Sequence, residues 1–431
     1  MINNNLNPHC NSLWEKLFIK NNIAEKVVEE GFFELNPQII NSNKYNLDYF
    51  GFEHQSHLPD IFRKHSLAIL PTSFNTSLIG QYSAYIKCDN FEHSPIDYIN
   101  FPDYIQSVDY ENIPNGITAI NCALLSGLLH NFLEEDSFCT PTLSGKFTSD
   151  DFLFKIDTID SRAFNIKVSN CKISVGSVIE SIKSLSIIES INYIPTDIFI
   201  QKIYYPFRYW SGVVEKNIRP ILMFVSNGIY YLHEYEFREF DNYSSIALIK
   251  SKRYSFEIND ISLEDIQDIL YSVDTVDEPA IPFPQADSFE RVINLCELLL
   301  KHSELTKKII TSTYDFDKRQ TDYYTNAGRY LGLIDKKNEN GVKYFLSDEG
   351  KNLFKLNFKK RQLKLVELIL KHPVFSKSLS LYLKNAEAPA KLEIEEIMKE
   401  SNLYKVNTDA TYSRRAFTVL SWINWILSLQ Q

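Results

Sequence analysis

Several features are missing from this 431-residue chain, and each absence excludes a class of protein. No stretch approaches the roughly 18 consecutive apolar residues of a transmembrane helix, and the first residues carry neither a basic nor an apolar leader segment. The six cysteines never occur as Cys-x-x-Cys, and no histidine follows them at zinc-finger spacing, so structural zinc is not expected. We expect a soluble, cytoplasmic protein with reduced thiols and no membrane partner.

Basic residues are fewer than acidic ones, 45 Lys and Arg against 55 Asp and Glu, which gives a net charge of -10. The deficit is uneven: residues 281–431 hold 24 Lys and Arg against 18 Asp and Glu, whereas residues 1–280 hold 21 against 37. Phosphate attracts basic side chains, so affinity for nucleic acid is expected mainly from the C-terminal part. The front part would need local basic patches or a metal ion.

The most informative stretch runs from Ile173 to Trp210. Two apolar segments, Ile173–Val175 and Leu185–Glu189, have the composition of strands, and the link Tyr193–Asp197 follows them. A helix with aromatic residues at helical spacing is predicted from Ile198 to Tyr209. The predicted order is therefore strand, strand, helix.

This order and its motifs resemble the catalytic core of restriction-endonuclease-like nucleases of the PD-(D/E)XK type, in particular one group of Type II restriction endonucleases. The motifs are Ile187-Ile-Glu-Ser-Ile-Asn192 and Gln201-Lys-Ile-Tyr-Tyr-Pro-Phe-Arg208. The resemblance continues upstream and downstream over most of the chain. It implies an α/β fold with a mixed sheet and flanking helices, followed by a mainly α winged helix-turn-helix region.

The resemblance also implies where catalytic groups should stand. In that superfamily an aspartate closes one strand and Glu-x-Lys lies on the next, so that two carboxylates hold Mg²⁺ while the lysine acts on the attacking water. Here Gly176 and Ile191 occupy the aspartate and lysine positions, and Glu189 alone remains as catalytic and metal-binding candidate. One carboxylate does not hold Mg²⁺ unaided, so cleavage is expected to be impaired or absent. Lys202, where the resembling group has glutamine, is the candidate for a relocated lysine.

Composition and resemblance together divide the chain into four parts. Residues 1–275 are predicted to form the restriction-endonuclease-like domain, and the proline-rich segment 276–288 a linker. Residues 289–355 are predicted to form a winged helix-turn-helix. Residues 356–431 are predicted to form a second helical unit, for which another winged helix is one alternative.

Two helices of these C-terminal units carry the candidates for DNA contact. On a helix predicted from Lys318 to Ile334, an inward stripe of Tyr323, Ala327, Tyr330 and Leu331 leaves polar residues facing outward. Such side chains could contact base edges or phosphates from the major groove. The candidates are Lys318, Arg319, Gln320, Thr325, Asn326 and Arg329, with Arg414 and Arg415 on the last helix.

Three hypotheses follow for the function. The first is a DNA-binding protein of a restriction-modification or related defence system that does not cut and acts as a homodimer, or beside an active nuclease subunit. The second is an active Type II endonuclease that uses Mg²⁺, Glu189 and Lys202. The third, a winged-helix transcriptional regulator, leaves the large α/β front part poorly explained.

Overall fold

The structure is a computed structural model that describes residues 8–42, 52–88, 95–111, 113–135, 137–159, 162–258, 260–314, 316–339 and 341–430. Within these residues the chain is of the α/β class, with a mixed sheet in the front part and mostly helices behind it. The described helices include none that combines the length and the apolar character needed to cross a bilayer.

The N-terminal elements form a small layer of helices around a short antiparallel sheet with the strand order β1-β3-β2. Trp14, Phe18 and Phe62 lie at the centre of its apolar core, because their rings meet edge to face. The elements are α1 (Pro8–Asn21), α2 (Ile23–Glu30), β1 (Phe32–Leu35), α3 (Pro37–Ser42), α4 (Asp60–Lys64), β2 (Ala68–Pro71) and β3 (Ser77–Gly80).

The middle part is built on a sheet of seven strands within the described residues, in the order β5-β14-β13-β12-β10-β9-β6. Strand β9 is antiparallel to both of its neighbours, β6 and β10, and β10 is parallel to β12. The elements are β4 (Tyr85–Lys87), β5 (Ile96–Tyr98), α5 (Gly116–Leu125), α6 (Leu128–Leu133), β6 (Thr140–Thr148), β7 (Phe152–Asp157), β8 (Ala163–Val168), β9 (Lys172–Glu180), β10 (Ser184–Ile191), β11 (Asp197–Phe199), α7 (Gln201–Val213), β12 (Asn217–Ser226), β13 (Ile229–Phe237) and β14 (Ile246–Ser255).

Helices cover both faces of this sheet. Ile188 and Met223 pack with α5 and α6 on one face, whereas Leu185 and Ile187 pack against α7 on the other. The hairpin between β12 and β13 turns at Asn227 and Gly228, whose φ angles of 53° and 75° suit a two-residue turn. The strand, strand, helix order is as the sequence predicts, and Asn-Gly is the dipeptide typical of such a turn.

Two local predictions for the middle part are wrong. The alternating pattern of residues 151–175 predicts a hairpin that enters the large sheet, but β7 and β8 form a separate two-stranded hairpin, and the chain joins the large sheet from Lys172, in β9. Ile198 and Phe199 pair with β4, so α7 begins at Gln201 rather than at Ile198.

The C-terminal part is mainly helical, with a small antiparallel sheet in the order β15-β17-β16. Ile334 begins a strand, so the helix predicted to reach it ends at Tyr330. The elements are α8 (Leu263–Ser272), α9 (Phe289–Lys301), β15 (Leu305–Thr306), α10 (Lys307–Thr313), α11 (Lys318–Tyr330), β16 (Ile334–Asn338), β17 (Val342–Leu346), α12 (Asp348–Leu353), α13 (Phe358–Leu370), α14 (Pro373–Asn385), α15 (Lys391–Glu400) and α16 (Asp409–Leu427).

One apolar core unites the C-terminal elements. Ile266 and Leu270 of α8 pack in the same cluster as residues from Phe283 to Leu429. The division between cores therefore falls between Phe256, which packs under the large sheet, and Ile261, earlier than the expected boundary at residue 275. The two C-terminal units expected from the sequence share this one core.

Candidate active site

Glu189 and Lys202 face each other because of the geometry of β10 and α7. Side chains alternate along a strand, so Glu189 lies on the same face as Ile187, which packs against α7. Lys202 lies in the first turn of that helix, and its charge interacts with the Glu189 carboxylate. The structure thus brings together the two residues that the sequence offers as catalytic candidates.

A third charged group, Glu53, joins them from a loop of the N-terminal part. Its Oε1 lies 3.1 Å from Lys202 Nζ, and the two side chains are 54% and 24% exposed. The loop around Glu53 has no periodic pattern that could mark it in the sequence. Sequence reasoning missed this residue for that reason.

The three groups shift one another's pKa values. Burial raises the pKa of Glu189, the Lys202 ammonium opposes the increase, and the Glu53 carboxylate adds to it. Burial alone would lower the pKa of Lys202, but the two carboxylates outweigh burial and raise it. The Lys202 charge lowers the pKa of Glu53 although burial opposes it. Lys202 is therefore held as an ammonium between two acids.

Gly176 of β9 lies close to both α5 and β10. A Cβ atom here would lie 2.9 Å from Ile120 Cδ1 and 2.9 Å from the Ile188 carbonyl oxygen, closer than real Cβ contacts. An aspartate fits only if the β10 backbone moves. The Gly176 backbone instead hydrogen-bonds the Glu189 carboxylate, just past the last β9–β10 ladder pair, Ser177 with Ile188.

Ile191, which stands where the resembling nucleases have lysine, is an apolar packing residue. It is half-buried against the cluster that contains Ile198 and Ile203, beneath the start of α7. A lysine here would replace these apolar contacts. The amine of the site is supplied instead by Lys202 on the helix above.

The remaining question is whether the residues present fit a Mg²⁺ ion. Mg²⁺ is commonly held by one or two carboxylates together with substrate phosphate and water. Within the described ranges there is no group of three or more His, Cys, Asp or Glu arranged to hold a metal ion. Glu53 and Glu189 nevertheless supply two carboxylates, and the pKa of Glu189 is raised first by burial and further by the Glu53 charge, so a cation bound here would favour its ionised form. The residues therefore fit a two-carboxylate site completed by phosphate and water.

Helix α11 presents most of the predicted DNA contacts, with one clear exception. Lys318 and Arg319 are exposed, and Asn326 and Arg329 are half-buried and hydrogen-bonded to each other at 3.0 Å. Thr325 does not face outward as predicted: it is fully buried and donates to the Thr321 carbonyl oxygen at 2.8 Å.

Two further expectations on α11 need revision. The inward stripe contains Tyr324, whereas Tyr323 is only half-buried. Gln320 caps the helix, because its Oε1 accepts the Asp317 backbone N–H at 2.9 Å. Part of the Gln320 side chain is therefore already engaged.

The two arginines of α16 are bound into the protein more than the sequence indicates. Arg414 makes two hydrogen bonds to Asp287, at 3.1 and 2.9 Å, and is 45% exposed. Arg415 is buried, and its Nε and Nη1 have no hydrogen-bond partner among the described residues. Arg414 remains accessible for a phosphate contact, and Arg415 does not.

An open cavity of about 890 Å³ lies between the residues that follow Glu53 and the start of α11. Gln55 and Ser56, next to Glu53, line one side together with Asp197, and Asp317 and Gln320 at the start of α11 line another. The N-terminus of α11 and the loop that carries Glu53 thus share one opening.

Three family models match the chain, and each is described only as a domain of unknown function. DUF6996 matches residues 11–79, DUF6997 matches residues 80–255, and DUF7226 matches residues 291–431. Glu53 lies in the first match, whereas Glu189 and Lys202 lie in the second. No curated protein and no solved structure matches the chain.

Proposed function

We propose that this chain is a Mg²⁺-dependent endonuclease of double-stranded DNA with Glu53, Glu189 and Lys202 as catalytic residues. The observation that carries the proposal is the convergence of two carboxylates and one amine from a loop, a strand and a helix. Such an arrangement is costly to build, because the two acids repel each other and burial disfavours their charges. Clusters of this kind are found preferentially at functional sites.

The connectivity of the middle part supports a restriction-endonuclease-like frame. Helices α5 and α6 precede three antiparallel strands, β6, β9 and β10, and α7 then leads to β12, which runs parallel to β10. Glu189 near the end of the third strand and Lys202 on the following helix occupy the region where this frame carries its catalytic groups.

The C-terminal part supports a winged helix-turn-helix next to this frame. The order α9, β15, α10, α11, β16, β17, with the last two strands joined as an antiparallel hairpin, is the order of such a module. Lys318, Arg319, Asn326 and Arg329 lie along one side of α11 and provide polar and basic contacts for a major groove. Arg414 adds a phosphate contact.

Each residue has a distinct role in the proposed reaction. Lys202 is suited to bind the scissile phosphate and to stabilise the negative charge that develops on it, because its pKa is raised. Glu53 and Glu189 would hold Mg²⁺, which when bound polarises a phosphoryl oxygen and makes a coordinated water more acidic.

A cleavage assay on DNA of varied sequence with Mg²⁺ tests the proposal. Wild-type protein is expected to cut, and Glu189→Gln, Glu53→Gln and Lys202→Met are each expected to lose about 100-fold or more in rate. Glu180→Gln and Lys216→Met are matched controls, since this Glu–Lys pair lies 2.5 Å apart at the opposite end of the strands with side chains 34% and 29% exposed. Equal loss in the controls, or cleavage that survives Glu189→Gln, would contradict the assignment.

A second candidate is a DNA-binding protein of a restriction-modification or related defence system that does not cut and acts beside an active nuclease subunit. The observations that favour it are Gly176 and Ile191 at the expected catalytic positions and the ion pair that engages Glu53 with Lys202. This candidate predicts salt-dependent DNA binding without cleavage. Arg319→Ala would then make the slope of log binding constant against log salt concentration shallower by about one.

A further inference from the structure

The loop that carries Glu53 is fixed by one buried histidine. Glu53 itself lies between elements, where a side chain that is 54% exposed has little support of its own. The next residue, His54, is only 3% exposed. The position of Glu53 therefore depends on what holds its neighbour.

Both ring nitrogens of His54 are engaged. Nδ1 lies 2.9 Å from the Asp197 carbonyl oxygen and 3.3 Å from Asp197 Oδ1, and Nε2 lies 2.7 Å from the Tyr193 hydroxyl. Because Nδ1 faces two acceptors, it carries the proton, and Nε2 accepts from Tyr193. Asp197 also accepts the backbone N–H of Gln55 at 3.1 and 3.2 Å.

Tyr193 and Asp197 belong to the segment between β10 and α7. This segment begins just after Glu189 and ends just before Lys202. His54 therefore connects the loop that bears one carboxylate with the segment that joins the strand of the other carboxylate to the helix of the amine.

The C-terminal part supports the same connection from behind. The Tyr193 ring packs edge to face on Tyr314 at 5.0 Å, and His57 Nε2 lies 2.6 Å from the Tyr314 carbonyl oxygen. The backbone N–H of Ile194 donates to Asn294 Oδ1 at 3.0 Å. The loop and the segment are thus both attached to the module that carries α11.

We infer that His54 is a positioning residue that sets Glu53 against Lys202 and Glu189, with Asp197 and Tyr193 as its partners and Tyr314 as their support. The inference rests on the proposed function for its catalytic meaning. Its geometric content, that the Glu53–Lys202 pair depends on His54, is measurable whether or not the protein cuts DNA.

The first test is a double-mutant cycle on the unfolding free energy of the full chain. The coupling between Glu53→Gln and Lys202→Met is measured in wild type and in a His54→Phe background, with the Glu180–Lys216 pair as control. We expect the Glu53–Lys202 coupling to fall by half or more, while the control coupling stays unchanged. An unchanged Glu53–Lys202 coupling, or an equal loss in the control pair, overturns the inference.

Two further variants keep the test decisive if His54→Phe does not fold. Tyr193→Phe removes only the hydroxyl that donates to Nε2, and it should reduce the same coupling by a smaller amount. His54→Asn retains a donor near the position of Nδ1 but loses the acceptor Nε2, so it should leave the coupling below the wild-type value without abolishing it. If neither variant changes the coupling, His54 does not position Glu53.

Cleavage kinetics then separate this inference from the proposed function. If both are right, His54→Phe lowers kcat about 10- to 100-fold and raises the Mg²⁺ concentration needed for half-maximal activity, with little change in KM for DNA. If the coupling falls but cleavage is unaffected, His54 positions Glu53 and the catalytic role of Glu53 is wrong. If cleavage falls while the coupling stays, the positioning role is wrong.

Discussion

Replacing Gly176 with aspartate would restore the acid expected from the sequence resemblance, and we expect it to destabilise the protein without improving the site. The new Cβ would lie 2.9 Å from both Ile120 Cδ1 and the Ile188 carbonyl oxygen, and 3.7 Å from Glu189 Cα. Overpacking of this kind costs about 1–3 kcal/mol. The added carboxylate also repels Glu189, whose pKa is already raised. We therefore expect the unfolding free energy to fall by about 2–3 kcal/mol.

Urea denaturation of two further variants separates the causes. Gly176→Ala adds the steric contact without the charge, and it should account for most of the loss. Gly212→Ala in α7 is the control, because a Cβ there meets no atom within 4 Å, and alanine should stabilise the helix by up to about 1 kcal/mol. If Gly176→Asp is as stable as wild type and cuts DNA faster, the steric argument is refuted.

Three other predictions concern buried polar groups. Burial raises the pKa of Glu278 to about 7 from 4.5, so its contribution to stability is present below pH 4.5 and is lost as pH rises through 7; the difference in unfolding free energy between wild type and Glu278→Gln should change by about 3 kcal/mol across this range, and a constant difference would refute it. Arg415→Met should raise the unfolding free energy by about 1 kcal/mol in urea denaturation, because it removes buried donors that lack partners, whereas a clear loss would show that the guanidinium is paired. Thr325→Val should cost about 1 kcal/mol of stability and leave DNA affinity unchanged in a binding titration, and weaker binding would restore Thr325 as a contact.

Local sequence signals predict much of the fold. Asn227-Gly228 marks the β12–β13 hairpin because both residues accept positive φ, and Thr306 marks the start of α10 because its hydroxyl accepts the Ile309 N–H. The inward face of α11 is harder to predict, because Tyr323 and Tyr324 are adjacent and only the packing of Phe316 against Tyr324 decides between them. Helix α14 was not predicted from the sequence at all.

The candidate site is predictable only in part, for a different reason. Glu189 and Lys202 lie on regular elements, and a strand followed by a helix brings them close. Glu53 lies far away along the chain in an irregular loop, and its place depends on hydrogen bonds between His54, Tyr193 and Asp197. Such long-range contacts leave no periodic signal in the sequence.

The position of α8 has a practical consequence for dissecting the protein into fragments. A fragment that ends at residue 275 would keep α8 but leave Ile266 and Leu270 exposed to water, because their packing partners lie beyond the cut. A fragment that ends near residue 257 avoids this apolar surface. Either fragment would lose the His57 contact with Tyr314, so its solubility and its catalytic competence should be judged separately.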